Sequence, residues 1–166
     1  MSYSTGQGQF SPRGNMWAMI KSLLEGKGAI NAGAQKGAGA LQEIKVTYDF
    51  AVDGGAVATI TPRSSIQVPA GAVIFGGFIQ GITLPVSGGG ATIAIGLGSG
   101  AQVAALKAAT AIATYAAGAT VALIPVFTAA SVVKAAADTF VTFTIGTAAL
   151  TAGKVQVTLY YYMQGE

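Results

Sequence analysis

A chain of 166 residues, 52% of them hydrophobic and only 9% charged, is sized for one domain and an appendage, since single domains cluster near about 100–150 residues. It holds no cysteine and no histidine, which excludes disulfides, thiol chemistry, the commonest general base and metal sites built from those two residues. Nine basic residues against six acidic ones leave a net charge of +3, and the basic residues stand singly rather than in a stripe, so no nucleic-acid partner is expected.

Residues 1–43 differ in composition from the rest of the chain and read as an N-terminal arm. Glycine and polar residues surround a short helical pattern from about Asn15 to Glu25, with Pro12 and Asn15 as start signals and Gly26 and Gly28 as the stop. Met16, Ile20, Leu23 and Leu24 recur at helical spacing with Trp17 and Met19 beside them, an apolar face too broad for so short a helix to keep in water. Such a helix is marginal alone, which makes Met16, Trp17, Ile20, Leu23 and Leu24 the candidate partner-binding residues. Gly26 to Ala40 has the glycine- and alanine-rich composition of a tether, or of an arm that orders across a partner. The polar start of the chain lacks a signal-peptide pattern, so export by that route is not expected.

From residue 44 to 166 the periodicity becomes two and a β domain begins. Ile44, Val46, Tyr48, Phe50 and Val52 alternate with polar or small residues as a half-buried strand, and Asp53-Gly54-Gly55 reads as a hairpin turn into an antiparallel return at Ala56–Thr61. Ser64–Pro69 reads as a short strand. Ala72–Leu84 reads as a long one, in which Gly76 and Gly77 signal a bulge or a close backbone approach. After the loop Pro85–Gly90 comes a strand at Ala91–Leu97, then an alanine-rich stretch, Ala101–Ala113, with the composition of a short helix. A strand near Ala119–Ile124, a loop around Ser131–Asp138, and strands at about Thr139–Ile145 and Lys154–Met163 complete the chain. About eight strands with frequent turn signals predict an all-β, antiparallel, jelly-roll-like sandwich.

No charged residue occurs from Ser64 to Leu106, and after Lys107 the next is Lys134. Surface this poor in charge predicts self-association or docking on a partner. The uncharged run Ala108–Val133 exceeds the roughly 20 residues a membrane helix needs. It is alanine-rich and interrupted by Thr110, Thr114, Gly118, Thr120 and Pro125, so no membrane span is expected.

The sequence Gly96-Leu97-Gly98-Ser99-Gly100-Ala101 satisfies a G-x-G-x-x-A dinucleotide fingerprint. The acidic residue that should follow about 20 positions later is missing, since no Asp or Glu lies between Leu106 and Ala137. The six acids offer one close pair, Asp49 with Asp53, which turn chemistry explains. The expectation is a protein that is not an enzyme, with no cofactor and no catalytic or metal-binding residues. Tyr160-Tyr161-Tyr162 is expected to place Tyr161 on the sheet face opposite its two neighbours.

The final stretch from Asp138 to Met163 resembles the C-terminal region of small head proteins of tailed bacteriophages. Tyr48–Thr61 and Ala91–Gly100 are similar to their first hairpin and middle strand. The resemblance spans roughly residues 44–163. It implies a capsid decoration or cement protein: a jelly-roll-like structural virion protein on the outer capsid surface, contacting the major capsid protein and assembling as a dimer or trimer. A carbohydrate- or surface-binding sandwich module is the alternative, on the expectation that Tyr115 and Trp17 are exposed.

Overall fold

The computed structural model describes residues 41–123 and 132–163. The first strand, β1 (Gln42–Asp49), carries Ile44, Val46 and Tyr48 into the core and is followed by a one-turn helix, α1 (Phe50–Asp53). The others are β2 (Thr59–Ile60), β3 (Gln67–Val68), β4 (Ala72–Ser87), β5 (Thr92–Leu97), β6 (Lys107–Ala111), β7 (Thr120–Ala122), β8 (Val133–Lys134), β9 (Thr139–Gly146) and β10 (Leu150–Met163).

The described strands form two antiparallel sheets. One runs β1-β10-β4-β7, with β8 also on β4; the other runs β2-β9-β5-β6, with β3 also on β9. β7 pairs with Phe78–Gln80 and β8 with Val73–Ile74 on the edge of β4 away from β10, so they share one lane. β2 and β3 likewise share a lane along β9. Counting lanes in chain order gives sheets 1-8-3-6 and 2-7-4-5, the jelly-roll arrangement of an eight-lane sandwich.

The core is the inner face of both sheets, where alternation turns every second residue inward. Val155, Val157 and Leu159 of β10 meet Val141, Phe143 and Ile145 of β9, with Ile93, Ile95 and Leu97 of β5, all buried. Across the expected bulge, Tyr160 pairs with Gly76 and Tyr161 with Ile74, so Phe75 is the extra residue. Gly77 is a close approach, since a Cβ there would lie 2.5 Å from the Leu123 side chain and against the Thr158 carbonyl.

Three local expectations are corrected. Asp53-Gly54-Gly55 does not close a hairpin, because β1 pairs with β10 and β2 with β9. Asp49 instead caps α1 by accepting from the Ala51 N–H at 3.0 Å. Gly54, at φ 79°, ends the turn, and the chain crosses to the other sheet. Ala101–Ala113 is not a helix. A single 3-10 turn, Gly100–Gln102, precedes the edge strand β6; Leu106 is buried and donates its N–H to the Ile95 carbonyl at 3.0 Å, so sheet pairing overrides alanine's helix propensity. Ser64–Pro69 supplies only β3, because the Ser65 N–H is spent on the Pro62 carbonyl in a turn at 2.9 Å, while the Ser64 and Ser65 hydroxyls bond the Thr47 and Val141 carbonyls.

Candidate functional site

The predicted partner-binding residues Met16, Trp17, Ile20, Leu23 and Leu24 lie outside the described residues. The other sequence signals can be placed. In the glycine fingerprint, Gly98 and Gly100 adopt positive φ (58° and 79°) at the end of β5. Gly96 is required because a Cβ there would collide with the Val103 backbone carbon and the Gln102 carbonyl. The glycines fold a 3-10 turn back on an antiparallel strand, and no helix long enough to present a phosphate-binding N-terminus comes after it among the described residues.

Asp49 and Asp53 sit together, but all four of their oxygens are engaged. Asp49 Oδ1 accepts from the Ala51 N–H and Oδ2 pairs with Lys154 Nζ at 2.9 Å. Asp53 Oδ2 accepts from the Asp49 N–H and Oδ1 from the Arg63 N–H, both at 2.9 Å. The Lys154 ammonium and the Ala51 N–H hold the Asp49 carboxyl below its ordinary range. Two depressions of about 260 and 320 Å³ flank this ion pair, one reaching Phe50 and Thr83, the other Val52, Arg63 and Ser64. Their acids already serve the corner between β1 and β2.

Tyr161 packs against the core with Met163, and Tyr162 sits on the other face of the sheet with its ring 6.1 Å from that of Phe75, tilted by 38°. The expected alternation of the tyrosine run is therefore present. Tyr115, by contrast, is not an exposed aromatic: it is fully buried and donates to the Ile93 carbonyl at 3.4 Å. Apolar side chains do reach the surface elsewhere, at Val52 and Val57 around the β1–β2 corner, at Ile66, at Phe140, and at Ile82, Leu84 and Val86 along the second half of β4. Exposed apolar groups of this kind are what a partner surface covers by burial.

One feature escapes the sequence entirely. Ser64 Oγ accepts from the Thr47 N–H at 2.8 Å and donates to the Thr47 carbonyl at 2.7 Å, clipping the outer edge of β1. A serine 17 residues downstream carries no local signal for this. Only the sandwich corner brings it there.

No protein-family model matches the sequence, and no curated protein matches it. The fold, however, is shared with chains in phage capsid structures. A chain in the acidic stable capsid structure of Helicobacter pylori bacteriophage KHP30 superposes with a TM-score of 0.54 at 10% identity, over 78% of this chain and 92% of that one. One in the capsid asymmetric unit of cyanophage Pam1 gives 0.54 at 17% identity over 76% and 86%. One in the capsid of Ralstonia phage GP4 gives 0.53 at 20% identity over 78% and 88%.

Proposed function

We propose that this protein is a structural component of a tailed-phage virion that binds the outer surface of the capsid shell as a decoration or cement subunit, with the major capsid protein as its partner. The observation that carries this reading is the jelly roll itself. It matches chains of three phage capsid structures over 86–92% of their length, so nearly the whole of each of those chains is accounted for by this domain. The surface supports it as well. Exposed apolar side chains stand at the β1–β2 corner, at Ile66 and Phe140, and along β4. A subunit that binds a shell works by covering such area, typically about 800 Å² per partner. The function needs no cofactor, nucleic acid, membrane or catalytic group.

The test is to mix the purified protein with undecorated heads. Saturable binding at a fixed number of copies per head, with heads that resist heating better once decorated, is the expected result. Heads that take up no protein overturn the reading. A chain lacking residues 1–40 is expected to fold and to bind more weakly; equal binding removes the arm from the mechanism.

A further inference from the structure

Among the described residues, the outer edge of β1 is half closed and half open. β1 pairs with β10 along its whole length without a register shift. Thr47 turns its N–H and carbonyl to the opposite edge, where Ser64 takes both. The Asp49 N–H, two residues on, points the same way and is taken by Asp53 Oδ2. Alternation along an unbroken antiparallel strand therefore turns the N–H and C=O of Glu43 and Lys45 to that edge too. Among the described residues, nothing meets these four groups.

An open edge is a template for another strand, and proteins commonly guard one with charge. The guards here are unusual in sign. Glu43 and Lys45 lie two residues apart on one face, bonded to each other at 2.8 Å, with side chains 42% and 60% exposed. A two-fold axis through Ile44 sets Glu43 opposite the partner's Lys45, and Lys45 opposite the partner's Glu43. An axis through residue 43 or 45 would instead oppose like charges, which destabilises cross-strand pairs. The edge is thus complementary to itself in one register only.

We propose that β1 is a self-association edge, at which two copies join antiparallel about a two-fold axis at Ile44. Glu43 and Lys45 then form hydrogen-bonded pairs with the partner copy: four backbone bonds and two cross-strand charge pairs. Ile44 keeps facing its own core. The Ser64 clip stops the ladder before Thr47, so the contact is short and weak between free copies. It gains strength where copies are already held close, because the second contact then forms at high effective concentration. The edge does not depend on shell binding, and the two deciding tests contain no heads.

The absence of native cysteine makes the register directly readable. Glu43→Cys and Lys45→Cys are made separately, both at exposed side chains. Hydrogen-bonded antiparallel partners lie about 5.5 Å apart at Cα, within disulfide range. A residue and its own symmetry mate lie two positions off register, which is too far. Under mild oxidation the equimolar mixture is expected to cross-link at least ~10-fold faster than either variant alone. A mixture no faster than its components overturns the proposal. Glu43→Lys and Lys45→Glu supply a second reading by sedimentation: each alone reduces association, and mixing them restores it, because every opposed pair is again of unlike charge. Failure of the mixture to associate better than either variant also overturns it. If Glu43→Lys abolishes binding to heads while the cysteine mixture does not cross-link, the edge receives a shell subunit and not a second copy.

Discussion

The ring of Tyr48, on β1 of one sheet, stacks on that of Phe143, on β9 of the other, with centroids 5.3 Å apart and planes at 26°. Both side chains are fully buried, and the Tyr48 hydroxyl donates to the Gly54 carbonyl at 2.5 Å. One tyrosine thereby ties the sheet interface to the corner where the chain changes sheets.

That position makes the fold sensitive to alkali. Burial, followed by the charges of Asp53 and Asp49, pushes the Tyr48 phenol up to about 12. Its ordinary value is near 10, so the unfolded chain loses the proton first. The associated stability is complete below about pH 10 and is lost as pH rises towards 12, a change on the order of 2–3 kcal/mol. Urea unfolding followed from pH 8 to 12 is expected to show this fall, and Tyr48→Phe to flatten it. An equally steep fall in Tyr48→Phe would assign the alkaline transition to another group.

Thr158 points to the outer face of its sheet, opposite Lys45 on β1 and Phe78 on β4, and is 1% exposed. Its Oγ1 has no hydrogen-bond partner among the described residues. A buried hydroxyl left unsatisfied costs about 1–3 kcal/mol, and valine has nearly the same shape. Thr158→Val is therefore expected to raise the unfolding free energy by about 1 kcal/mol. A loss of stability in denaturant titration would mean that the hydroxyl is bonded after all.

Gly96 separates the packing account of the glycine run from the nucleotide account. A methyl group there meets the Gln102 and Val103 backbones, which cannot rotate away as a side chain could. Gly96→Ala is expected to destabilise the domain by more than about 1 kcal/mol, and dinucleotides are expected to leave the melting temperature of the wild type unchanged. A dinucleotide-dependent rise in melting temperature would overturn the packing account.

Thr147, in the turn between β9 and β10, is the only non-glycine among the described residues with positive φ, at 68°. A β-branched residue is strained there by about 1–2 kcal/mol, while asparagine tolerates the conformation. Thr147→Asn is expected to stabilise the domain by up to about 1 kcal/mol, read as a higher midpoint in urea.

Strand positions were legible wherever one face is buried, because alternation is a local consequence of that burial. Ile44–Tyr48, Ile93–Leu97 and Val155–Leu159 all announce themselves in this way. Pairing was not. Asp53-Gly54-Gly55 carries the same turn chemistry whether the chain doubles back or crosses to the other sheet, and the choice depends on β10, which lies far along the chain. Ala101–Ala113 misled because alanine's helix preference is small beside the burial of Leu106. For the surface, low charge raised the expectation of partner contacts, while the open edge at Glu43 and Lys45 depends on which neighbour β1 has, and which it lacks, among the described residues.

The Ser64 clip turns that last point into a measurement. Its two bonds at 2.8 and 2.7 Å hold the Thr47 N–H and carbonyl, between the Asp49 N–H that Asp53 takes and the Lys45 groups that nothing meets among the described residues. Ser64→Ala removes both partners at once, at a cost of about 1 kcal/mol. Hydrogen exchange at the Thr47 amide is expected to speed up about tenfold, while the inward amides of Ile44, Val46 and Tyr48, which face β10, keep their protection. The variant also exposes two more outward groups beside Lys45, so its tendency to associate through β1 is expected to rise. If Thr47 exchanges no faster in Ser64→Ala than in the wild type, the serine is not what closes this end of the strand.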